Sequence, residues 1–175
     1  KTDPTRSGTS LQAGVGRAAF VGIDGLTIAA DTLTVEVNQA GKLGDTVVDY
    51  GAGATALELI TGPLVTDRLA LGMAGADGDL LRVSGNLEID VFGFFHVEGG
   101  FGIEKRTTQV TLADGNTEDV SLLAIGASRV QAFAGLNGGT ADELGLRLSD
   151  VEFGLALMTS TTNPARSWTS LQAGV

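Results

Sequence analysis

Cysteine is absent from this chain of 175 residues, and histidine occurs only once, as His96. Without cysteine, neither a disulfide framework nor a thiolate metal site can form. A single histidine excludes metal sites that combine several histidines of one chain. The strings GxGxxG, Walker A and GxSxG, which mark common cofactor and nucleophile sites, are missing too. We therefore expect no catalytic residues and no enzyme.

Positive charge and long apolar runs are also scarce. Eleven Lys and Arg residues stand against 21 Asp and Glu residues, which gives a net charge of −10. Such a chain lacks the basic footprint that nucleic acid or an anionic membrane surface requires. No apolar run approaches the roughly 18 residues of a membrane-spanning helix. Aromatic residues make up 5%, too few for the two girdles of an outer-membrane barrel. We expect no nucleic-acid partner and no membrane span.

Apolar residues and glycine are plentiful. Apolar residues make up 43% of the chain and charged residues 18%, a composition that excludes a disordered acidic tail. The chain has 26 glycines but only three prolines, which indicates turns, bulges and close backbone contacts rather than a proline-rich linker. This composition predicts a folded domain.

One segment occurs twice. Residues 2–15 and 162–175 agree at eleven of fourteen positions with an offset of 160, and residues 9–15 recur unchanged as residues 169–175. Self-similarity at a fixed period indicates a repeat array. We interpret residues 1–161 as one full repeat unit and residues 162–175 as the start of the next copy of a longer array. The duplication predicts a joining or edge strand, formed by Thr9, Leu11, Ala13 and Val15 and again by Thr169, Leu171, Ala173 and Val175.

Alternation of apolar and polar residues predicts half-buried strands in the rest of the chain. The clearest pattern covers residues 81–103 and predicts one long strand, kinked at its glycines. At Asp24-Gly25 the parity of the pattern slips, which predicts a bend rather than a stop. Residues 46–50 predict a short strand. Residues 56–73 are ambiguous between helix and strand, and we favour short strands there because Pro63 and the surrounding glycines limit the length of a helix.

Turn signals connect these strands. Asp114-Gly115 lies between two alternating runs and predicts a hairpin, and residues 137–139 predict another turn. A loose unit of strand, bulge and strand recurs four times, with its breaks at Asp31, Asn86, Ser128 and Asp150. The chain is therefore predicted to be all-β, with long, kinked antiparallel strands in a meander. The meander forms a sandwich, barrel or tube that can continue into neighbouring repeats, and a β-solenoid is the alternative.

Two sets of side chains are candidate ligand sites. Phe92, Phe94, Phe95 and Phe101 could supply the apolar wall of a barrel or tube around an apolar ligand, although packing against a second sheet explains them as well. Oxygen ligands in turns are where calcium would bind, and ordinary turn chemistry explains the same residues. These oxygen ligands are Asp77, Asp79, Asp114 and Asn116.

The duplicated TSLQAGV and the alternating run LEIDVFGFFHVEGGFGIEK resemble the repeating segments of very large bacterial surface or secreted proteins, adhesins among them. The resemblance implies an extracellular or cell-surface setting on a bacterium and transfers no functional residue. The period of about 160 residues is longer than that of sandwich modules of about 100 residues.

These observations lead to two expectations for function. The first is a structural tandem-repeat module that acts as a spacer, stalk or filament-forming element and whose partners are neighbouring copies of the same repeat. In such an array each copy covers the edge strand of its neighbour. The alternative is a binding module that encloses an apolar ligand in a β-barrel or tube. Neither expectation requires a cofactor, and neither identifies a surface ligand.

Overall fold

The computed structural model describes residues 6–42, 45–51, 53 and 57–174. It consists almost entirely of strands, and seven of them form one sheet in the order β1-β2-β5-β6-β7-β8-β9. All six pairings in this sheet are antiparallel. The seven strands are β1 Gly8–Phe20, β2 Leu26–Ala40, β5 Leu80–Val91, β6 Phe95–Thr111, β7 Thr117–Leu136, β8 Leu144–Ser160 and β9 Ser167–Gly174.

The predicted all-β antiparallel meander is confirmed. Consecutive strands of the large sheet are hydrogen-bonded neighbours, which a β-solenoid of stacked coils would not give, so that alternative is wrong. The order places β1 at one end of the sheet and β9 at the other. The sheet of this chain is therefore open rather than closed into a barrel.

The hairpin signals differ in how well they predicted the turns. The turn at Asp114-Gly115 joins β6 to β7 as predicted, with the amide of Gly115 donating to the carbonyl of Leu112 at 2.9 Å. The predicted bend at Asp24-Gly25 is wrong, because the chain there turns back into β2 and pairs antiparallel with β1.

The single long strand predicted over residues 81–103 is also wrong. The chain reverses between β5 and β6, where Phe92 and Gly93 have φ angles of 52° and 69°. Two consecutive residues with positive φ form the tight type of hairpin turn that matches the twist of the strands. An aromatic residue in this conformation gives no turn signal in the sequence, so the two strands looked like one.

Bulges occur at three of the four predicted breaks. The pairing of β2 with β5 shifts between Asp31 and Thr34, and that of β7 with β8 shifts on both sides of Val130. Thr32, Arg129 and Asp150 have positive φ at these places. Asn86 is different, because β5 pairs with β6 through it without a shift. The extra residue of the β2–β5 shift lies on β2, and that of the β6–β7 shift lies on β7, opposite Glu98 to Gly100.

The chain between β2 and β5 folds back over one face of the sheet, and we name its described part (residues 41–42, 45–51, 53 and 57–79) the covering segment. It contains a two-stranded sheet of β3 (Glu58–Ile60) and β4 (Arg68–Ala70) and a short 3-10 turn, Gly75–Asp77. Short strands are thus confirmed here, but residues 46–50 are not one of them. Tyr50, Leu71 and Met73 pack with Leu80 of β5 into a buried core.

The two faces of the large sheet differ in chemistry. One row of paired residues places an apolar side chain on every strand: Ala13, Val35, Val83, Ile103, Ile125, Leu155 and Leu171. The neighbouring row points to the other face and consists of Gln12, Glu36, Arg82, Glu104, Ala124, Ala156 and Ser170. We name these the apolar face and the polar face. The covering segment lies on the polar face, since it packs on Leu80, which points to the same side as Arg82.

An ionic network runs along the polar face. The guanidinium of Arg82 contacts Glu104 at 2.6 Å, Glu36 at 3.0 Å and Asp77 at 3.3 Å. Half-burial works against the charge of Glu104, but its hydrogen bonds and ion pairs with Arg82 and Arg106 outweigh this effect and lower the pKa of its carboxyl. The network ties the covering segment to β2, β5 and β6.

Candidate functional site at the duplicated edge strands

The duplicated segment forms both edges of the large sheet. Thr9, Leu11, Ala13 and Val15 lie in β1, which pairs with β2. Thr169, Leu171 and Ala173 lie in β9, which pairs with β8, and Val175 lies outside the described residues. The structure therefore places one copy of the segment at each end of the sheet.

The two edges are related as if by a translation. Six antiparallel steps separate β1 from β9, so the two strands run in the same direction. Leu11 pairs with Val37 and Leu171 pairs with Leu155, and both leucines point to the apolar face. Because β1 has its neighbour on one side and β9 on the other, one strand could occupy both positions at once. It would then pair with β8 of one copy and β2 of the next.

Two polar residues of the duplicated segment hold the covering segment on β1. The hydroxyl of Tyr50 donates to Ser10 Oγ at 2.9 Å, and Ser10 Oγ donates to Asn38 Oδ1 at 3.1 Å. Asn38, which is 1% exposed, donates in turn to the carbonyl of Val48 at 2.8 Å. The side chain of Gln12 accepts from the amide of Gly72 at 3.0 Å. Both contacts fix the covering segment to the edge of the sheet.

The same two residues are exposed in the second copy. Ser10 and Gln12 are half-buried in β1, whereas their counterparts Ser170 and Gln172 are exposed in β9. They share the polar face with Ser10 and Gln12, because the strands have the same direction and orientation. The second copy therefore presents the groups that, in the first copy, dock a covering segment.

A hydrogen-bonded turn leads into β9. The hydroxyl of Ser160, which is 2% exposed, donates to Glu118 Oε1 at 2.5 Å and accepts from the amide of Asn163 at 2.9 Å. Arg166 Nη1 contacts Glu118 Oε2 at 2.7 Å. The hydrogen bond from Ser160, followed by the charge of Arg166, holds the pKa of Glu118 below its usual value. The turn thereby fixes the point at which the second copy begins.

The residue just before the seven unchanged residues differs between the copies: it is Gly8 in the first and Trp168 in the second. The ring of Trp168 lies beneath the guanidinium of Arg166, with 5.2 Å from Cζ to the ring centre, and pairs with Met158. Its counterpart Gly8 pairs with Ala40, and a Cβ atom at Gly8 would lie 3.0 Å from the carbonyl oxygen of Gln39. At this position the backbone of β2 therefore lies so close to β1 that a side chain larger than that of glycine has little room.

The candidate aromatic wall is divided between two places. Phe92 and Phe94 lie in the β5–β6 turn and Phe95 begins β6, and all three are more than 40% exposed. Phe101 lies farther along β6 and borders an open groove on the sheet together with Leu33 and Ile103. Three of the four rings are thus brought to one hairpin, on the rim of the sheet.

The candidate calcium ligands lie in two different turns and have protein partners. Asp77 accepts from Arg82, and Asp79 accepts from the amide of Ala40 at 2.8 Å. Asp114 accepts from both the amide and the side chain of Asn116 at 3.0 Å, which lowers its pKa. Within the described ranges, no group of three or more His, Cys, Asp or Glu residues is arranged to hold a metal ion.

Sequence reasoning missed Ser10, Gln12 and Glu118, because their partners lie 40 to 60 residues away along the chain. The sequence did contain one signal for Ser10 and Gln12. Ser10 and Gln12 are identical in both copies, although they occupy the polar parity of an exposed strand, where substitutions are usually tolerated.

A scan against protein-family models found no match for this chain, and neither the curated proteins nor the solved structures contain a significant one. In the described part of the chain, no helix has the length and apolar character needed to cross a membrane.

Proposed function

We propose that this chain is a structural module of a tandem array, in which one continuous sheet runs through successive copies. The second copy of the duplicated segment acts as the first strand of the next module. It pairs with β8 on one side and with the β2 strand of the next copy on the other. The array would serve as a spacer, stalk or filament in an extracellular or cell-surface protein, the setting that the sequence resemblance implies.

The observation that carries this proposal is the state of Ser170 and Gln172. Both are exposed in β9, while the same residues in β1 hold a covering segment through Tyr50 and Gly72. In an array, the covering segment of the next copy would dock on them in the same way. Edge strands with unpaired backbone groups are prone to pair with other strands, and this arrangement uses that tendency to join modules.

The proposal is tested with a shortened chain, in which β9 of one molecule can pair with β2 of another molecule. A chain that begins at Ile23 lacks β1 but retains β9, so β9 of one molecule can fill the vacant place beside β2 of another. We expect head-to-tail polymers, measured by light scattering and electron microscopy. Chains that end before Arg166, or that lack both strands, have no duplicate to donate and should not polymerise.

A matched control separates specific docking of the covering segment from non-specific aggregation. Ser170→Ala with Gln172→Ala in the chain that begins at Ile23 should weaken polymerisation, because the covering segment of the acceptor loses both partners. Ser167→Ala, in the same strand but before the seven residues that recur unchanged, should not. A chain beginning at Ile23 that stays monomeric at all concentrations would contradict the proposal.

Enclosure of an apolar ligand is the second candidate function. The observation that favours it is the exposed apolar face, with Leu11, Ile103 and Leu171 each at least 45% exposed. Because β1 and β9 lie at opposite ends of the sheet, enclosure would require closure over several copies. Extraction of the purified protein with organic solvent, followed by mass spectrometry, tests whether such a ligand is bound.

A further inference from the structure

We propose that the apolar face of the sheet is covered by the apolar face of a second copy, so that two sheets pack face to face. This inference goes beyond the joining of edges, since edge pairing extends a single layer and leaves the apolar face in water. It concerns the rows of the sheet that include Val83, Ile103 and Ile125, in the middle of the layer.

The solvent-accessible surface of the chain is larger than that of a compact monomer, which supports the presence of a partner on the apolar face. A compact monomer of 17.8 kDa exposes about 8,000 Å², whereas this chain exposes 11481 Å². The excess of about 3,500 Å² exceeds the roughly 1,000–2,500 Å² that each subunit of an obligate homodimer buries. A single-layer sheet gives such an excess, because one of its faces has nothing to pack against.

The size of the face also fits a second copy. Six gaps of about 4.8 Å and strands of about 12 residues at 3.3 Å give a face of about 29 by 40 Å. This is a footprint of about 1,200 Å² on each partner, within the range of stable homodimers. A small ligand would cover only a fraction of it.

The chemistry of the two faces selects which side pairs. The row from Ala13 to Leu171 has no charged residue, and the adjacent row on the same face has only Lys105. The long stem of a lysine can pack on apolar surface while its ammonium group reaches water. The polar face carries Glu36, Arg82 and Glu104 and is partly occupied by the covering segment, so it would remain outside.

A second copy is the occupant that these features favour. Its face is the same apolar surface of the same width, and packed sheets lie about 10 Å apart. Face-to-face pairing would also direct the acidic residues of a chain with a net charge of −10 to the outer surfaces.

The test uses the full chain, whose lack of cysteine allows a single thiol to be placed on either face. Ile103→Cys places it on the apolar face at a position that is 45% exposed in the single chain, and Ser84→Cys places it on the polar face of the next strand. Each variant is labelled with a bulky maleimide over a range of concentrations. We expect labelling at position 103 to slow at least 10-fold as dimers form, while labelling at position 84 stays constant.

Sedimentation equilibrium supplies the second readout. The full chain should reach twice its monomer mass, and Ile103→Glu should weaken this association about 100-fold or more, because a carboxylate would be buried in an apolar interface. Ser84→Glu is the matched control on the polar face and should leave the mass unchanged. Ser170→Ala with Gln172→Ala should also leave it unchanged, so failure of edge joining can be told apart from failure of face pairing.

Two outcomes would overturn the inference. The first is a full chain that stays monomeric at all concentrations, with positions 103 and 84 labelled at the same rate. The second is a monomer in which position 103 is protected and organic solvent extracts an apolar molecule, since a ligand would then cover the face. If Ile103→Glu fails to fold, the thiol protection still decides.

Discussion

The two edges of the sheet carry the same sequence in two environments. In β1 the segment pairs with β2, and Ser10 and Gln12 contact the covering segment. In β9 it pairs with β8 and exposes the same two side chains. One strand sequence can therefore pair on either side. What precedes and follows it along the chain decides which side it uses.

The edges also differ in how they are fixed. The β1 edge is held from the polar face by the core of the covering segment, whereas β9 is held at its start by the Ser160–Glu118–Arg166 turn. A change in either support should therefore loosen one edge and spare the other.

The largest effect is expected for Leu80→Ala. Leu80 is 0% exposed and packs with Tyr50, Leu71 and Met73, and truncation of a buried leucine costs about 2–5 kcal/mol in the free energy of unfolding. Because Tyr50 also holds Ser10, amide hydrogen exchange should rise in β1 before it rises in β9. Urea unfolding and exchange mass spectrometry measure both effects.

Leu81→Ala is the control for this change. Leu81 is the next residue and points to the apolar face, where it is 37% exposed. The substitution Leu81→Ala removes the same atoms from a half-exposed site. It should lower the free energy of unfolding by no more than about 1 kcal/mol in monomeric chains. Equal loosening of both edges by Leu80→Ala would show that the edges are not supported separately.

An intermediate effect is expected from exchanging the residues that differ between the copies. Gly8→Trp places a Cβ atom 3.0 Å from the carbonyl oxygen of Gln39 and should cost about 1–3 kcal/mol in the free energy of unfolding. The reverse change, Trp168→Gly, removes the contact with Arg166 and adds backbone freedom, at a cost of about 1–2 kcal/mol.

Urea unfolding of both variants measures how far the two edges differ in their tolerance of a tryptophan at this position. A neutral Gly8→Trp would show that the β2 edge accepts a large residue without adjustment. The junction between copies would then need no rearrangement to place a tryptophan beside the next β2 strand. A costly Gly8→Trp means that the backbone near Gln39 must shift wherever a copy that begins like this one follows Trp168.

The class of fold and the duplicated edges could be predicted from sequence because both depend on local pattern. Alternation predicted the strands, and Asp114-Gly115 predicted its hairpin. The turn at Phe92-Gly93 could not be predicted, since an aromatic residue with a φ of 52° has no sequence signature. The same holds for Thr32 and Arg129, whose exact conformations depend on the pairing of neighbouring strands.

The contacts of the site could not be predicted for a different reason. Tyr50 meets Ser10, and Gly72 meets Gln12, across 40 and 60 residues of chain. These contacts exist only after the covering segment has folded over the polar face. The sequence contains no pattern that specifies this path, because residues 56–73 alternate only weakly and are ambiguous even between helix and strand.

The smallest effect is expected on acidification, and it should be confined to β9. The hydrogen bond from Ser160 and the charge of Arg166 hold the pKa of Glu118 below its usual value in the folded chain, so its contribution to stability is present above the usual value and is lost as the pH falls through the folded pKa. Protonation would remove the charge that Arg166 contacts at 2.7 Å and so weaken the turn that begins β9. Little should change near neutral pH.

Trp168 is the only tryptophan of the chain and lies next to this turn, so its fluorescence reports on β9 directly. We expect its emission to shift towards that of exposed tryptophan as the pH falls below the usual pKa of a glutamate, before circular dichroism shows unfolding of the sheet. Glu104, whose pKa is also lowered, belongs to the network beneath the covering segment and should affect the β1 side. Glu118→Gln should abolish the early shift of Trp168. A variant with an unchanged pH profile would mean that other groups fix the start of the second copy.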